Sequence, residues 1–224
     1  MKFENTWVGN FEGAIRGLRN PLASWDKSDS KWTEENFIIG EKDIELAQRL
    51  IKAGPEHRKF LRQIFVSVDI TAPIYWWKEM STYKVATVAN STSTMHKLAS
   101  TPITLECFEI DDFEENLEYF QENTTGMLAD LIIEQLEFLR QKYNETKDIR
   151  YWKELIRWLP EGWLQKRTWT ANYETIYSII LQRGYHKLAA EWGKGFIHWC
   201  TSLPYAKELI FYGEEREKIY NLYA

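Results

Sequence analysis

Hydroxyl, amide and guanidinium side chains gather in two regions of the sequence, and their chemistry suits a phosphate or a flat heterocycle. Residues 88–94 read Val-Ala-Asn-Ser-Thr-Ser-Thr and follow an aromatic stretch that begins at Ile74. Two later segments with helical spacing carry Arg183 and Glu191. Hydroxyl and backbone N–H groups can hold a phosphate, and a guanidinium can pair with the edge of a planar ring. The alternative is a solvated loop and a surface charge.

Motifs of the common enzyme classes are missing from the sequence. There is no GxSxG elbow, no GxxxxGK[ST] loop and no GxGxxG turn, so the hydrolase, phosphate-loop and dinucleotide-fold hypotheses lack their signatures. The four histidines form neither an HExxH motif nor an i, i+4 pair: His57, His96, His186 and His198. We therefore predict no metal site and expect each histidine to be structural or exposed.

The overall composition argues against two classes of partner. With 28 Lys and Arg against 33 Asp and Glu, the formal net charge is -5, which disfavours binding of long nucleic acid but allows a local basic pocket. No apolar run approaches the roughly 18 to 20 residues of a membrane span, and no secretory signal is recognisable. Cys107 and Cys200 form no CxxC pair, and we expect both to be buried as small hydrophobes. We expect a cytoplasmic location and no membrane partner.

Aromatic residues are the unusual part of the composition. The chain has 11 Trp, 12 Tyr and 11 Phe, together 15% of its residues. One interpretation is a bulky core with an oligomer interface, since aromatic side chains dominate both. The other is a pocket in which rings stack on a nucleotide or a flavin. Composition alone does not separate the two.

Hydrophobic periodicity predicts a mainly helical chain of one domain, residues 1–224, with a small sheet. Residues 41–53 place apolar side chains on one helical face before Gly54-Pro55 ends the run. Residues 65–70 alternate apolar and polar side chains, which predicts a half-buried strand that Pro73 ends. Further helices are predicted over residues 74–84, from 124 or 125 to 143, over 149–158, 173–182 and 187–200, and in a shorter tail to 223; loops are predicted over 24–30 and 88–94.

Two blocks of the sequence resemble the flavin-dependent thymidylate synthases, the ThyX family. The first block, residues 65–75, reads FVSVDITAPIY and leads into the region of the family's RHR…S signature, here residues 82–94. The second block follows the family's LP…WTxN…R…E pattern at Leu159-Pro160, at residues 169–172, and at Arg183 and Glu191. Gly54 and His57 are similar to the family's GHxxxxEH region, whereas residues 101–148 are left without an alignment to the family.

The resemblance implies a fold, a cofactor and an assembly. Members of the family have an α+β fold, here expected to be mainly helical with a small antiparallel or mixed sheet. They form homotetramers that bind FAD between subunits, and they methylate dUMP with methylenetetrahydrofolate as carbon donor and NADPH as reductant. The resemblance therefore implies FAD as cofactor, a pyrimidine nucleotide as partner, and a homo-oligomer that is a tetramer.

The resemblance also implies site residues. Arg183 would be the catalytic residue, because a permanently charged, planar donor can contact the uracil ring and stabilise its developing negative charge. Thr87 and Thr92 replace serines of the signature and keep the hydroxyl for a phosphate. The other implied cofactor residues are His57, Thr82, Tyr83, Lys84, Asn172 and Ser178, and the other implied substrate residues are Glu79, Asn90 and Thr94.

Several positions depart from the family pattern. The signature's Arg-His-Arg reads Thr82-Tyr83-Lys84, its last arginine reads Thr94, and an arginine of the second block reads Glu174. A charge-assisted contact to phosphate contributes about 1.5 to 3 kcal/mol, so losing three lowers affinity by several decades. Stacking by aromatic side chains of the motif helix could replace part of that loss: Tyr75, Trp76, Trp77 and Tyr83.

Two alternatives stay open beside a flavin-dependent thymidylate synthase. One is a catalytically inactive or repurposed homo-oligomer that has kept the fold and lost the cofactor. The other is an enzyme on the same scaffold that acts on another modified pyrimidine nucleotide, with specificity set by Glu79, Lys84 and Glu174.

Overall fold

The computed structural model describes residues 1–110 and 125–224, and it confirms the predicted α+β class: mainly helical, with a small antiparallel sheet. Four strands form this sheet in the order β1-β4-β6-β5, and β2 pairs with β3 in a separate antiparallel hairpin. The strands are β1 Lys2–Gly9, β2 Lys31–Trp32, β3 Phe37–Ile38, β4 Phe65–Pro73, β5 Val88–Ser91 and β6 Leu164–Asn172.

Nine α-helices and two π-helices are assigned in the described ranges. The α-helices are α1 Phe11–Arg19, α2 Glu41–Ala53, α3 Ile74–Met80, α4 Thr94–Lys97, α5 Thr125–Thr146, α6 Ile149–Arg157, α7 Tyr173–Arg183, α8 His198–Thr201 and α9 Glu214–Tyr223. The first π-helix is Ala190–Ile197 and the second is Ala206–Ile210. Short 3-10 turns cover Asn20–Leu22, Trp25–Lys27, Arg58–Gln63, Leu98–Ser100 and Leu105–Cys107. Among these helices, none is long and apolar enough to cross a membrane.

One compact unit contains Met1–Ile70, Tyr83–Ala89 and Thr168–Ala224. In its core the 3-10 turn Arg58–Gln63 contacts α1, α2 and α7. The core side chains are apolar and fully enclosed, which supplies the main stabilisation of the unit. They include Ala14, Ala47, Leu61, Val66, Val68, Ile176 and Ile180.

A buried ion pair fixes the loop before α2 in this unit. Arg19 donates its Nε–H to Asp43 at 2.5 Å, and the hydroxyls of Ser28 and Ser30 donate to the other oxygen of the same carboxylate at 2.6 and 2.5 Å. Burial by itself raises the pKa of Asp43, but the hydrogen bonds from Ser28, Ser30 and Arg19 outweigh it and hold the pKa below its usual value. The segment 24–30 is thus a loop, as predicted, with one 3-10 turn in it.

The other compact unit contains Thr71–Thr82 and Asn90–Arg167. Its core joins α5 and α6 to the turns before them, through Leu98, Ile103, Phe108, Leu136 and Leu155. Glu137 lies on α5 and accepts hydrogen bonds from Arg140 of the same helix and from the backbone N–H of Ile103. These bonds lower the pKa of Glu137 to about 2. That the whole chain forms a single domain stays a prediction.

Several predicted elements are confirmed. Helix α2 occupies residues 41–53 as predicted, α7 extends the predicted helix by one residue, and β4 begins at Phe65 and ends at Pro73. In α5, the described residues start at Thr125, so a cap at Thr124 lies outside them. Cys200 is fully buried as expected, whereas Cys107 is half-buried, because its turn Leu105–Cys107 lies at the margin of the core.

Three predictions of secondary structure are wrong. Residues 88–91 are not a loop but strand β5, whose four side chains are all exposed and therefore show no apolar alternation. Helix α3 ends at Met80 rather than near Lys84, because Thr82 turns back to the carbonyl of Glu79 with both its N–H and its hydroxyl. The helix predicted over 187–200 starts at Ala190, and its first eight residues are π-helical.

Candidate functional site

The candidate site is centred on the contact between Tyr83 and Arg183, which belong to the same compact unit. Arg183 ends α7 and donates its Nε–H to the hydroxyl of Tyr83 at 2.8 Å. The hydroxyl in turn donates to Oε1 of Gln182 at 3.2 Å. Because the Tyr83 hydroxyl accepts one hydrogen bond and donates another, its position fixes the direction of the Arg183 side chain. The signature region and the second block of the family resemblance therefore meet at this pair.

Aromatic rings surround the guanidinium of Arg183. Its Cζ lies 4.7 Å from the ring centre of Trp192 and 5.6 Å from that of Tyr83, and the two rings meet edge to face at 6.4 Å. A cation over a ring face is attracted by the ring quadrupole. The rings hold a half-buried, planar cation in one orientation, as recognition of a planar heterocycle requires.

The first π-helix brings Trp192 to this position. The N–H of Lys194 donates to the carbonyl of Ala189 at 2.9 Å, five residues earlier, so the backbone is wider than an α-helix there. Gly193 makes room for the ring of Tyr223, since a Cβ on Gly193 would lie 2.5 Å from it. Single π-helical turns are frequent at functional sites.

The segment that carries Tyr83 and Lys84 forms a closed turn. The hydroxyl of Thr87 donates to the carbonyl of Tyr83, and Thr175 donates to the carbonyl of Val85 at 3.4 Å. Because the hydrogen of the Thr87 hydroxyl is engaged in this turn, the hydroxyl can offer a phosphate a hydrogen bond only if the turn opens. Lys84 is exposed and keeps its cation at the surface.

Asn172 ends β6 and caps α7, and Ser178 lies on α7. Asn172 is buried, and its Oδ1 caps the helix by accepting from the N–H of Thr175 at 3.0 Å. Its Nδ2 has no acceptor among the described residues, so this amide can donate to a ligand. The hydroxyl of Ser178 donates to the carbonyl of Glu174 at 3.0 Å, which leaves only its lone pairs for a cofactor.

A second group of charges lies around Glu174 and Tyr177 of α7, and it was not recognised in the sequence. Arg58 donates its Nε–H to both carboxylate oxygens of Glu174 at 3.1 Å, and its Cζ lies 4.6 Å from the ring centre of Tyr177. The Cζ of Arg216 lies 3.4 Å from the same ring centre, and its Nε–H donates to the carbonyl of Tyr177 at 3.2 Å. The only local signal was that Arg58 follows His57, a predicted cofactor residue.

His57 itself is exposed and lines an open groove of about 1080 Å³. The groove has apolar walls, among them Leu22 and Leu50, and a basic rim at Lys59 and Arg62. No group of three or more His, Cys, Asp or Glu side chains in the described ranges is arranged to hold a metal ion.

The other predicted site residues belong to the second unit. Thr92 donates both its N–H and its hydroxyl to the carbonyl of Lys166, at 2.9 and 3.2 Å, so its hydroxyl hydrogen is also engaged. Asn90 is exposed on β5, and Thr94 begins α4. Thr82 donates its hydroxyl to the carbonyl of Glu79 at 2.7 Å.

Two of the aromatic side chains expected to stack on a ligand are unsuited to it. Trp76 and Trp77 are 0% and 1% exposed and pack edge to face against each other at 4.9 Å. They are core residues because α3 turns both indoles inward. Tyr83 is only partly buried and remains available.

The fold that carries this site is that of the flavin-dependent thymidylate synthases. The structure of thymidylate synthase X (ThyX) from Helicobacter pylori with FAD and dUMP matches with a TM-score of 0.68 and 18% identity, over 97% of this chain and 99% of that chain. A second structure of the H. pylori enzyme complexed with FAD and dUMP matches with a TM-score of 0.65 and 19% identity, over 94% and 98% of the two chains. No family model and no curated protein sequence matches the chain.

Proposed function

We propose that the chain is a flavin-dependent thymidylate synthase-like protein that binds FAD and a dUMP-like pyrimidine nucleotide around Arg183. The H. pylori structures that share the fold hold FAD and dUMP. The proposed reaction is methylation of dUMP, with methylenetetrahydrofolate as carbon donor and NADPH as reductant. We also propose that the chain forms a homotetramer and is located in the cytoplasm.

The contact of Arg183 with Tyr83 at 2.8 Å carries this proposal. It joins the arginine proposed for the uracil ring to the segment proposed for the flavin. Arg183 would donate to the ring oxygen on which negative charge develops, and Tyr83 and Trp192 would hold the guanidinium in the plane of that contact.

The residues present fit part of a flavin site. The unengaged Nδ2 of Asn172 can donate to a flavin carbonyl, and the exposed His57 and Lys84 can approach the cofactor. The flavin, when bound, supplies the hydride transfer. Thr82, Tyr83, Lys84 and Ser178 remain proposed cofactor contacts; Glu79, Thr87, Asn90, Thr92 and Thr94 remain proposed substrate contacts.

Spectroscopy of the purified protein tests the proposal directly. We expect two visible absorption bands of bound flavin, or quenching of flavin fluorescence when FAD is added, and a calorimetric signal with dUMP. Conversion of dUMP to dTMP in the presence of methylenetetrahydrofolate, NADPH and FAD would establish the activity. A colourless protein that neither quenches FAD nor binds dUMP contradicts the proposal.

One observation favours the alternative of a repurposed protein with the same fold. Glu174 stands where the resemblance expects an arginine, and both of its carboxylate oxygens accept a bifurcated hydrogen bond from the Nε–H of Arg58. The local charge pattern is therefore built around a carboxylate. If the protein acts on another pyrimidine nucleotide, one member of a nucleotide panel raises its melting temperature selectively. If it has lost ligand binding, no nucleotide raises the melting temperature, and light scattering shows an oligomer.

A further inference from the structure

We propose that Arg58 and Arg216, held on the ring of Tyr177, form a binding site for a phosphate group of the cofactor or nucleotide. The inference rests on the proposed function, because it names the cations that would take the place of the missing signature arginines. Neither arginine belongs to the residues that the family resemblance implies.

The first observation is that the two guanidiniums share one aromatic platform. Their Cζ atoms lie 4.6 and 3.4 Å from the ring centre of Tyr177, a side chain that is 5% exposed. Contact with a buried ring restricts the orientations of both guanidiniums. Fixed orientation matters because an arginine that is already ordered loses less entropy when it binds an anion.

The second observation concerns hydrogen-bond donors that are not in use. Arg58 donates its Nε–H to Glu174, and Arg216 donates its Nε–H to the carbonyl of Tyr177. The Nη groups of both side chains donate to no acceptor among the described residues. Guanidinium N–H pairs match the oxygen spacing of a phosphate, so each arginine can still bind one bidentately.

The third observation is an excess of positive charge in a partly buried place. The group contains two cations and one carboxylate, Glu174, whose direct ion pair is with Arg58, so the group carries a formal net charge of +1. Burial, together with repulsion from Arg58, lowers the pKa of Arg216 to about 10, although Tyr177 and Glu174 favour its charge. An anion would relieve this repulsion. Of the other carboxylates near Arg216 in sequence, Glu214 and Glu215 pair with Lys218, and Glu217 is exposed and makes no ion pair within the described ranges.

The position of the group in the chain suits a phosphate that belongs to the proposed ligands. Arg58 follows His57, and Tyr177 precedes Ser178, both of which are proposed cofactor residues. The shared chemistry is a phosphate ester. Its source is either the pyrophosphate of FAD or the monophosphate of the nucleotide, and the experiment separates them.

The test compares ligands that carry phosphate groups with parent compounds that carry none. FAD, FMN and riboflavin are titrated by flavin fluorescence, and dUMP and deoxyuridine by calorimetry, against the full-length wild type and the variants Arg58→Gln and Arg216→Gln. We expect each variant to weaken the phosphate-bearing ligand by about tenfold to hundredfold, the loss of one charge-assisted contact, and to leave riboflavin and deoxyuridine unchanged. The ligand whose affinity falls, FAD or dUMP, identifies the phosphate.

The control is Arg16→Gln, which removes an exposed arginine of α1 whose only ion pair in the described ranges is a loose one with Glu12 at 3.6 Å. It should leave every affinity unchanged. Arg216→Lys keeps the charge but loses the forked donors, and we expect it to recover only part of the phosphate affinity. If Arg216→Gln fails to fold, Arg58→Gln and Arg216→Lys carry the comparison.

Failure of the inference is distinct from failure of the proposed function. If the wild type binds FAD and dUMP but both glutamine variants bind them equally well, the arginine pair is structural and the inference is overturned. If the wild type binds neither ligand, the proposed function fails, and inorganic pyrophosphate tests the pair alone. A rise in melting temperature with pyrophosphate that Arg58→Gln abolishes supports the site, and no rise overturns it.

Discussion

Tyr83 and Arg183 are joined by a hydrogen bond of 2.8 Å although 100 residues separate them in the chain. The tyrosine holds the arginine in two ways. Its hydroxyl receives the Nε–H of Arg183, and its ring lies beside the guanidinium. Tyr83 is therefore the residue through which the segment 83–89 controls the direction of the arginine.

Removing the guanidinium should abolish binding without unfolding the protein. Arg183 is half-buried, and its guanidinium contacts the hydroxyl of Tyr83 and two aromatic rings. We expect Arg183→Ala to eliminate detectable dUMP binding in calorimetry and to change the melting temperature by only a few degrees. If Arg183→Ala unfolds the chain instead, its charge is structural and the proposed role is wrong.

Removing only the hydroxyl of Tyr83 should have an intermediate effect. Tyr83→Phe keeps the ring and deletes the acceptor of the Arg183 Nε–H. A hydrogen bond to a charged group contributes about 1.5 to 3 kcal/mol. We expect nucleotide affinity to fall by about tenfold with little change in stability. Tyr185→Phe is the matched control, since that tyrosine is 66% exposed; equal affinities of Tyr83→Phe and wild type would contradict the prediction.

The carboxylate of Asp43 should dominate the acid stability of its unit. Asp43→Asn leaves Arg19 buried without a counter-charge, and we expect a loss of about 3 to 5 kcal/mol in the free energy of unfolding at pH 7. Urea denaturation measures this loss. The exposed ion pair of Arg16 and Glu12 provides a control, because Glu12→Gln should change the free energy of unfolding by less than about 1 kcal/mol.

The same carboxylate makes a prediction about pH. The pKa of Asp43 is lowered in the folded state, so its contribution to stability is present above the unfolded pKa of about 3.9 and disappears as the pH falls through the folded value. We expect wild type and Asp43→Asn to converge in stability at strongly acidic pH. A constant difference between them from pH 7 to pH 2 would contradict this.

A methyl group at Gly193 should loosen the attachment of α9. The added Cβ would lie 2.5 Å from the ring of Tyr223, so either the ring or the first π-helix has to shift. We expect Gly193→Ala to cost about 1 to 3 kcal/mol in unfolding free energy. Gly162→Ala is the control, because its Cβ meets the carbonyl of Glu109 at an ordinary 3.4 Å.

The two cysteines should differ in reactivity. Burial raises the pKa of the Cys200 thiol well above its usual value, whereas Cys107 is only half-buried. Since the thiolate is the reactive form, we expect a disulfide reagent to modify Cys107 in the native protein and Cys200 only after denaturation. Equal rates for the two thiols would disprove the expectation.

The sequence was sufficient for those elements whose burial leaves a periodic pattern. Helix α2 has one apolar face and ends at Gly54, where φ is +119°, and β4 alternates between buried and half-buried side chains. Strand β5 could not be predicted, because its four side chains are all exposed and its partners are distant in sequence. The apolar side chains of residues 187–200 do not reveal the i→i+5 hydrogen bonds of a π-helix, so the first π-helix was expected to be an ordinary helix.

The site was predictable only in part. The family resemblance pointed to Arg183 and Tyr83, but no local pattern shows that the hydroxyl of one would accept from the other. Arg58 and Arg216 each look like isolated surface cations, because the ring that holds them belongs to a third segment of the chain. Trp76 and Trp77 were expected beside a ligand since aromatic composition does not distinguish a core from a pocket.

The wide turn of the first π-helix holds one more residue than an α-helical turn, because the N–H of Lys194 reaches the carbonyl of Ala189 five residues earlier. Each residue of an α-helix advances the chain by about 100° around the axis, so deleting one residue from an ordinary helix such as α2 would rotate everything that follows by that angle. Deleting one residue between Ala189 and Lys194 would instead let an α-helical turn form and leave the flanking residues near their present faces. Among relatives of this chain, a length difference of one residue is therefore expected here rather than within α2.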